Sequence, residues 1–242
     1  MNVAIGTASW SIPKADAAHF PVHGSHLERY AQTFDGVEIN TSFYRPHQRS
    51  TYERWAAAVP ANFQFAVKIP KTITHERRLI GTADLLERFL SEVDGLGPKL
   101  GPLLVQLPPS LAFTTEAAGS FLQDLRERFS GELVCEPRHL SWFTSDVNLL
   151  MERLRIGRVA ADPHPIAGSD KPGGWLGLVY YRLHGSPRMY YSAYAEEALE
   201  GWAREIRAHA TRGARVWCIF DNTAAFAATG DALTMTRLAE QP

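Results

Sequence analysis

The stretch VCEPRHLSW at residues 134–142 places a glutamate, an arginine and a histidine at the end of an apolar run. Similar endings recur: Glu38 and Asn40 in GVEIN, Lys68 in VKIP, Gln106 in VQLP, Asp162 closing VAAD, Arg182 and His184 in RLHG, and Asp221 with Asn222 closing IFDN. Carboxylates beside an imidazole can move protons, and guanidinium and ammonium groups can hold an anion. A lysine whose pKa is lowered by its neighbours can also attack a carbonyl as a free amine. These residues span positions 38 to 222, so any shared chemistry requires a fold that gathers the ends of the runs.

The runs read as buried strands at residues 3–7, 36–40, 63–69, 102–107, 132–136, 158–162, 178–184 and 216–221. Parallel strands covered on both faces are almost wholly apolar, so polar residues inside them need a reason. Between most runs lie segments of helical period. Ser25 with Glu28 and Ser50 with Glu53 have capping-box spacing, and later helices are expected at 84–94, 116–129, 145–154, 195–211 and 224–239. Gly95 and Gly213 stand where helix C-caps would fall.

Eight strand–helix units in 242 residues predict a single α/β domain over residues 1–242, a (β/α)8 TIM-type barrel, with an open doubly wound sheet as the alternative. The helix after strand six is expected to be missing or reduced, because residues 163–177 (PHPIAGSDKPGGWLG) are rich in proline and glycine; the segment reads as a long loop, a candidate lid. In a parallel barrel the C-terminal strand ends open at one mouth, which is where barrel enzymes place their sites. The competing reading is a plug of buried ion pairs such as Glu136 with Arg182. Glu38, set back from the end of its strand, fits that plug best.

Composition narrows the partners. Hydrophobic residues make up 45% of the chain and the formal net charge is −1, so no global field points to duplex nucleic acid or to a membrane surface. The two cysteines, Cys135 and Cys218, lie in apolar runs and read as small buried hydrophobes. The sequence enters a strand within two residues, and no apolar stretch approaches membrane-helix length, which predicts a soluble, cytoplasmic protein.

Loops beyond the strand ends carry Trp10, Phe43, Tyr44, Arg45, His75, Arg77, Arg78, His139, Trp142, Arg188, Tyr190, Tyr191 and Tyr194. Aromatic faces beside guanidinium groups suit a ligand with a flat or sugar-like part and an anionic part. The motifs IGTASW, FDGVEINTSFYRP, VPANFQFAVKIPKTITH, LGPLLVQLPPS, VCEPRHLSW, LHG and IFDNTAAFAATGDAL together resemble the YecE-like family of domains of unknown function, the seventy-second of its series. The resemblance runs through the chain and implies a TIM-type barrel but no reaction. It marks Glu38, Asn40, Phe43, Tyr44, Lys68, Thr74, His75, Gln106, Glu136, Arg138, His139, Trp142, Asp162, His184 and Asn222. Departures from the family pattern are Ala8, Ser9 and Ile12 in the opening motif, Asp221 where asparagine is common, and Ser186 where arginine is common.

Three functions compete. The favoured one is a metal-independent acid–base enzyme, a hydrolase or lyase, acting on an anionic phosphorylated or nucleotide-like molecule. Glu136, Lys68, Asp162 and His184 would be its catalytic residues, with Arg138, Arg182, Asn40, Tyr44, His75, Gln106, His139, Trp142 and Asn222 binding substrate. The second is a divalent-metal phosphodiesterase or sugar isomerase with Glu136, Asp162 and His184 as ligands. The third is a non-catalytic barrel that binds a metabolite or a nucleic acid through Arg77, Arg78 and the tyrosines near 190–194.

Overall fold

The computed structural model describes residues 2–164 and 166–240; positions 1, 165, 241 and 242, which the expected domain and loop boundaries include, lie outside the described residues. Among the described residues ten strands form: β1 (Val3–Thr7), β2 (Gly36–Ile39), β3 (Gln64–Lys68), β4 (Leu100–Gln106), β5 (Leu133–Glu136), β6 (Ile156–Arg158), β7 (Ala160–Asp162), β8 (Gly173–Gly174), β9 (Leu178–Leu183) and β10 (Arg215–Phe220). They build two sheets, ordered β1-β10-β9-β7 and β2-β3-β4-β5-β6-β8. All pairings are parallel except β6 with β8. The protein is therefore an α/β fold of parallel sheets.

Among the described residues the continuous hydrogen-bonded ring that a closed barrel would require is not formed, and the two breaks have local causes. Between β1 and β2 the Tyr30 hydroxyl stands in for a ladder, accepting from Thr7 N at 2.8 Å and donating to Gly36 O at 3.4 Å. A Cβ on Gly6 would lie 2.0 Å from Gly36 O, so the two edges can approach this closely only with glycine there. On the far side the expected sixth strand is two: β6 pairs with β5, whereas β7 pairs with β9, and the chain changes sheets at Val159.

Helices cover the outer faces: α1 (His26–Tyr30), α2 (Arg49–Ala57), α3 (Ala83–Val93), α4 (Ser120–Arg128), α5 (Ser145–Arg153), α6 (Glu196–Thr211) and α7 (Ala227–Ala239). Their buried stripes follow the helical period, as in Leu86, Phe89 and Val93 of α3 or Leu199, Ala203 and Ile206 of α6. The Ser25–Glu28 capping box forms. The Ser50–Glu53 box does not, because α2 starts at Arg49, two residues before the start that a Ser50 cap requires, and Glu53 instead pairs with Arg49 at 3.0 Å. Gly213 adopts φ 86° after α6, as a C-cap should. Gly95 is not such a cap; it makes room for α2, since a Cβ there would meet Arg49 O at 2.6 Å.

No helix follows β7 among the described residues. The loop is instead fastened to the sheets: Ala161 N donates to Ser169 O at 2.8 Å, and Gly173 and Gly174 pair with β6. Gly174 has φ 60° and lies so near Ile156 O, 2.4 Å from an added Cβ, that no larger residue fits.

Inward-facing side chains alternate along each strand. On β10 they run Trp217, Ile219 and on to Asp221; on β9, Tyr180, Arg182 and on to His184; on β5, Val134 and Glu136. The N-terminal part of the interior is consequently apolar, filled by Trp217 stacked on Tyr180 at 6.1 Å and packed with Ala4, Ala66, Leu104 and Val134. Gly36 and Gly101 leave space for the Trp217 ring, which a Cβ on either would meet at 2.7 Å. The C-terminal part is charged.

Candidate functional site

Arg182 lies at the centre of the charged layer, with no exposed side-chain surface. Its guanidinium reaches Glu38 at 2.7 and 2.9 Å, Glu136 at 3.0 Å and Asp221 at 3.0 Å, so three strands contribute carboxylates to one cation on a fourth. The Tyr180 hydroxyl donates to Glu38 at 2.9 Å and ties this layer to the apolar one below. Burying four charges is tolerable only because the geometry satisfies them mutually. Burial alone would raise Glu136, but Arg138 and Arg182 hold it well below the usual carboxylate range; Arg138 contacts it through Nε at 2.8 Å and Nη2 at 2.7 Å.

His184 joins the network from the end of β9. One ring nitrogen, Nδ1, lies 3.1 Å from Asp221, and Nε2 lies 3.6 Å from Glu136 without a hydrogen-bond partner among the described residues. Burial disfavours its charged form, yet the hydrogen bond to Asp221 and the nearby Glu136 carboxylate prevail and raise its pKa. Asp221 responds oppositely: burial would raise it, but Arg182 and His184 lower it. Glu136, Arg138 and His184 also wall a chamber of about 40 Å3 closed by Pro163, Ile166 and Ser169 of the loop after β7.

Lys68 is the exception in this layer. It is 5% exposed, yet among the described residues it makes no salt bridge; its Nζ instead sits 4.0 Å from the centre of the Phe43 ring. Burial and the Arg182 guanidinium lower its pKa to about 8, against the opposing pull of Glu38, Glu136 and Asp221. Asn40 stands beside it, because β2 and β3 pair Ile39 with Val67 and both chains then reach their ends. The buried Asn40 Oδ1 also lacks a partner among the described residues.

Lys68 and Asn40 open into a cavity of about 540 Å3. Gln106, Arg138 and Asp221 line its polar wall, and Phe43, Tyr44, Tyr190 and Tyr191 its aromatic wall, with His75 between them. The His75 ring meets Phe43 edge to face at 4.9 Å, and its Nδ1 is 2.8 Å from the Thr74 hydroxyl. Burial, Lys68 and Arg138 all lower its pKa, so His75 is a neutral imidazole at pH 7.

Of the residues expected at a site, the fold brings Lys68, Asn40, Tyr44, His75, Gln106 and Arg138 to this cavity and sets Glu136, Arg182 and His184 directly behind it. Four take other positions. Trp142 is fully buried against Phe113 and donates its indole N–H to Leu111 O, which is a packing role. His139 caps a short turn, its Nδ1 accepting from Ser141 N. The Asp162 carboxylate accepts from the Tyr194 hydroxyl at 2.8 Å, and Asn222 donates to Ser192 O and Asp231. Glu136, Asp162 and His184 therefore do not form a ligand set, and among the described residues no three His, Cys, Asp or Glu side chains gather closely enough to hold a metal ion.

Asp221, named among the polar strand ends but given no role at the site, and Tyr180, not singled out in the sequence, are both part of the network. The alternation Trp217, Ile219, Asp221 identifies the first, because it turns residue 221 inward and residue 222 away. Tyr180 is two residues before Arg182 on the same face, but a tyrosine in an apolar run gives no sign that its hydroxyl meets a carboxylate.

Among the described residues no helix is long and apolar enough to cross a membrane. Comparison with known structures finds the same fold in a DUF72 family protein from Enterococcus faecalis V583, with a TM-score of 0.82 at 21% identity, covering 99% of this chain and 96% of that one. A DUF72 family protein from Thermotoga maritima MSB8 gives a TM-score of 0.80 at 23% identity, covering 99% of both chains. By sequence, the UPF0759 protein YecE of Escherichia coli (strain K12) is 29% identical over 170 residues, which are 68% of this chain and 60% of that protein. The UPF0759 protein YunF of Bacillus subtilis (strain 168) is 30% identical over 152 residues, 59% of this chain and 52% of the relative. The match thus spans little more than half the length of these curated relatives. Residues 4–242 match the family described as Protein of unknown function DUF72, and the chain belongs to that family.

Proposed function

We propose that this chain is a single barrel-like domain whose two sheets share one mouth, and that the mouth is the site of a metal-independent enzyme for an anionic small molecule. The observation that carries this reading is Lys68: a buried ammonium that faces a 540 Å3 cavity without a carboxylate partner among the described residues, while Arg182 behind it takes up three. A cation left uncompensated in a low-dielectric wall is a standing attraction for an anion. Arg138 lines the same cavity and supplies the fork that phosphate or carboxylate groups fit.

His75, a neutral imidazole, is the cavity-facing group suited to move a proton, whereas Asp221, held low by Arg182 and His184, has an orienting role. His184 is a positioning residue that acts through Asp221, since it is buried behind it. The tyrosine rings and Phe43 provide flat faces for the uncharged part of the substrate. Glu136 is already engaged by Arg138 and Arg182, which gives it an orienting role and leaves it a poor proton acceptor.

A thermal-shift screen with inorganic phosphate and a panel of phosphorylated and carboxylated metabolites tests the reading. The expected outcome is a rise in Tm with anionic compounds that is lost in Lys68→Met. Equal shifts in both proteins, or none in the parent protein, would remove the anion site.

A further inference from the structure

We infer that the substrate also carries an aldehyde or ketone group, and that Lys68 attacks it through Nζ to form a Schiff base while Arg138 holds the anionic arm. The inference rests on the anion-site reading above and narrows its substrate class.

Three features of the cavity wall support it. The amine is neither hydrogen-bonded nor paired with a carboxylate among the described residues, and it rests against the Phe43 face, which leaves its lone pair unencumbered once the proton is gone. Asn40 is the neighbour of Lys68 at the strand ends and lines the same cavity, and its buried Oδ1 has no hydrogen-bond partner among the described residues. A carboxamide can be turned to present its NH2, so Asn40 and Gln106 can donate to a carbonyl oxygen and the anion's charge need not be met by Lys68 alone. Burial and the Arg182 guanidinium, opposed by Glu38, Glu136 and Asp221, leave the pKa of Lys68 at about 8, and His75 faces it across the cavity as a neutral imidazole. At pH 8 about half of Lys68 is then free amine, against ~0.4% for an ordinary lysine.

The step balances without an oxidant or reductant. The Nζ lone pair forms a bond to the carbonyl carbon, the carbonyl π pair moves to oxygen, and His75 takes a proton from nitrogen and returns it to that oxygen. The carbinolamine hydroxyl then takes a second proton, drawn from bulk water through His75, and leaves as water while the nitrogen pair closes the C=N bond, giving the protonated imine. His75 suits the transfer because Thr74 occupies Nδ1 and leaves Nε2 free.

The probe is glycolaldehyde phosphate with cyanoborohydride to reduce any imine, read by intact mass and peptide mapping at pH 8, with uncharged glycolaldehyde as the comparison. Lys68 is expected to label at least about tenfold faster than Lys14, Lys71, Lys99 or Lys171, to be protected by inorganic phosphate, and to prefer the phosphorylated aldehyde. Lys68→Arg, which keeps the charge, should lose the label and still show the phosphate-induced rise in Tm. Labelling of Lys68 no faster than of the other lysines, with the phosphate shift intact, overturns the Schiff base and leaves the anion site standing. Fast labelling that phosphate does not slow and that ignores substrate charge overturns the anion site instead.

Discussion

Arg182 and Lys68 are both buried cations in the same charged layer, at the ends of β9 and β3, yet they are treated oppositely. Arg182 is met by Glu38, Glu136 and Asp221, has no exposed surface and does not face the cavity. Lys68 is met by a benzene ring and a void. The difference assigns stability to one and reactivity to the other. A guanidinium with its fork filled on three sides fixes the strand ends relative to one another, whereas an ammonium short of a counter-charge is a place where a ligand improves the electrostatics.

The largest effect should come from the saturated side. Arg182→Met leaves three buried carboxylates facing one another, and urea unfolding at pH 7 is expected to show a loss of about 3–5 kcal/mol. A loss below 1 kcal/mol would mean that the network adds little. Lys68→Met should act in the other direction. Because the folded pKa of Lys68 is lowered to about 8 while the unfolded value stays near 10.5, the unfolded chain binds more protons between those pH values. The penalty is thus fully present below pH 8 and fades as pH rises toward 10.5. Set against the lost contact with Phe43, the variant should be more stable at pH 7 by about 1–3 kcal/mol, with the gap closing above pH 8.

The subtlest contrast is between the two histidines. His184 has a raised pKa, so its contribution to stability is complete below pH 6.5 and is lost as pH climbs through the folded value; His75 has a lowered pKa and should be neutral already at pH 7. Nitrogen-detected NMR of the imidazole rings should therefore show His75 losing its proton at lower pH than His184. The reverse order would break the assignment of His184 to the ion network and of His75 to proton transfer.

Much of this arrangement was legible from strand alternation alone. Residues two apart on β3, β5 and β9 sent Lys68, Glu136, Arg182 and His184 to one side, and the strand ends gathered them. Errors arose where the period was anchored at the wrong residue: Asn222 was expected at the site and Asp221 takes that direction, and Asp162 is diverted to the Tyr194 hydroxyl. Trp142 and His139 lie in a loop, where no period says which way a ring turns. The interrupted ring of strands was equally invisible, because it depends on Gly6 meeting Gly36 and on Tyr30 entering between them, contacts between segments distant in sequence.

The most direct test of the central claim is calorimetry of sulfate binding at pH 8 in two buffers of different ionisation enthalpy, with Lys68→Met alongside. Sulfate has no titration of its own in this range, so a bound anion that completes the protonation of Lys68 should draw in roughly half a proton per site. The account predicts one site, a buffer-dependent heat of that size, and neither in the variant. Binding that is unchanged in Lys68→Met, or heats that are the same in both buffers, would contradict it.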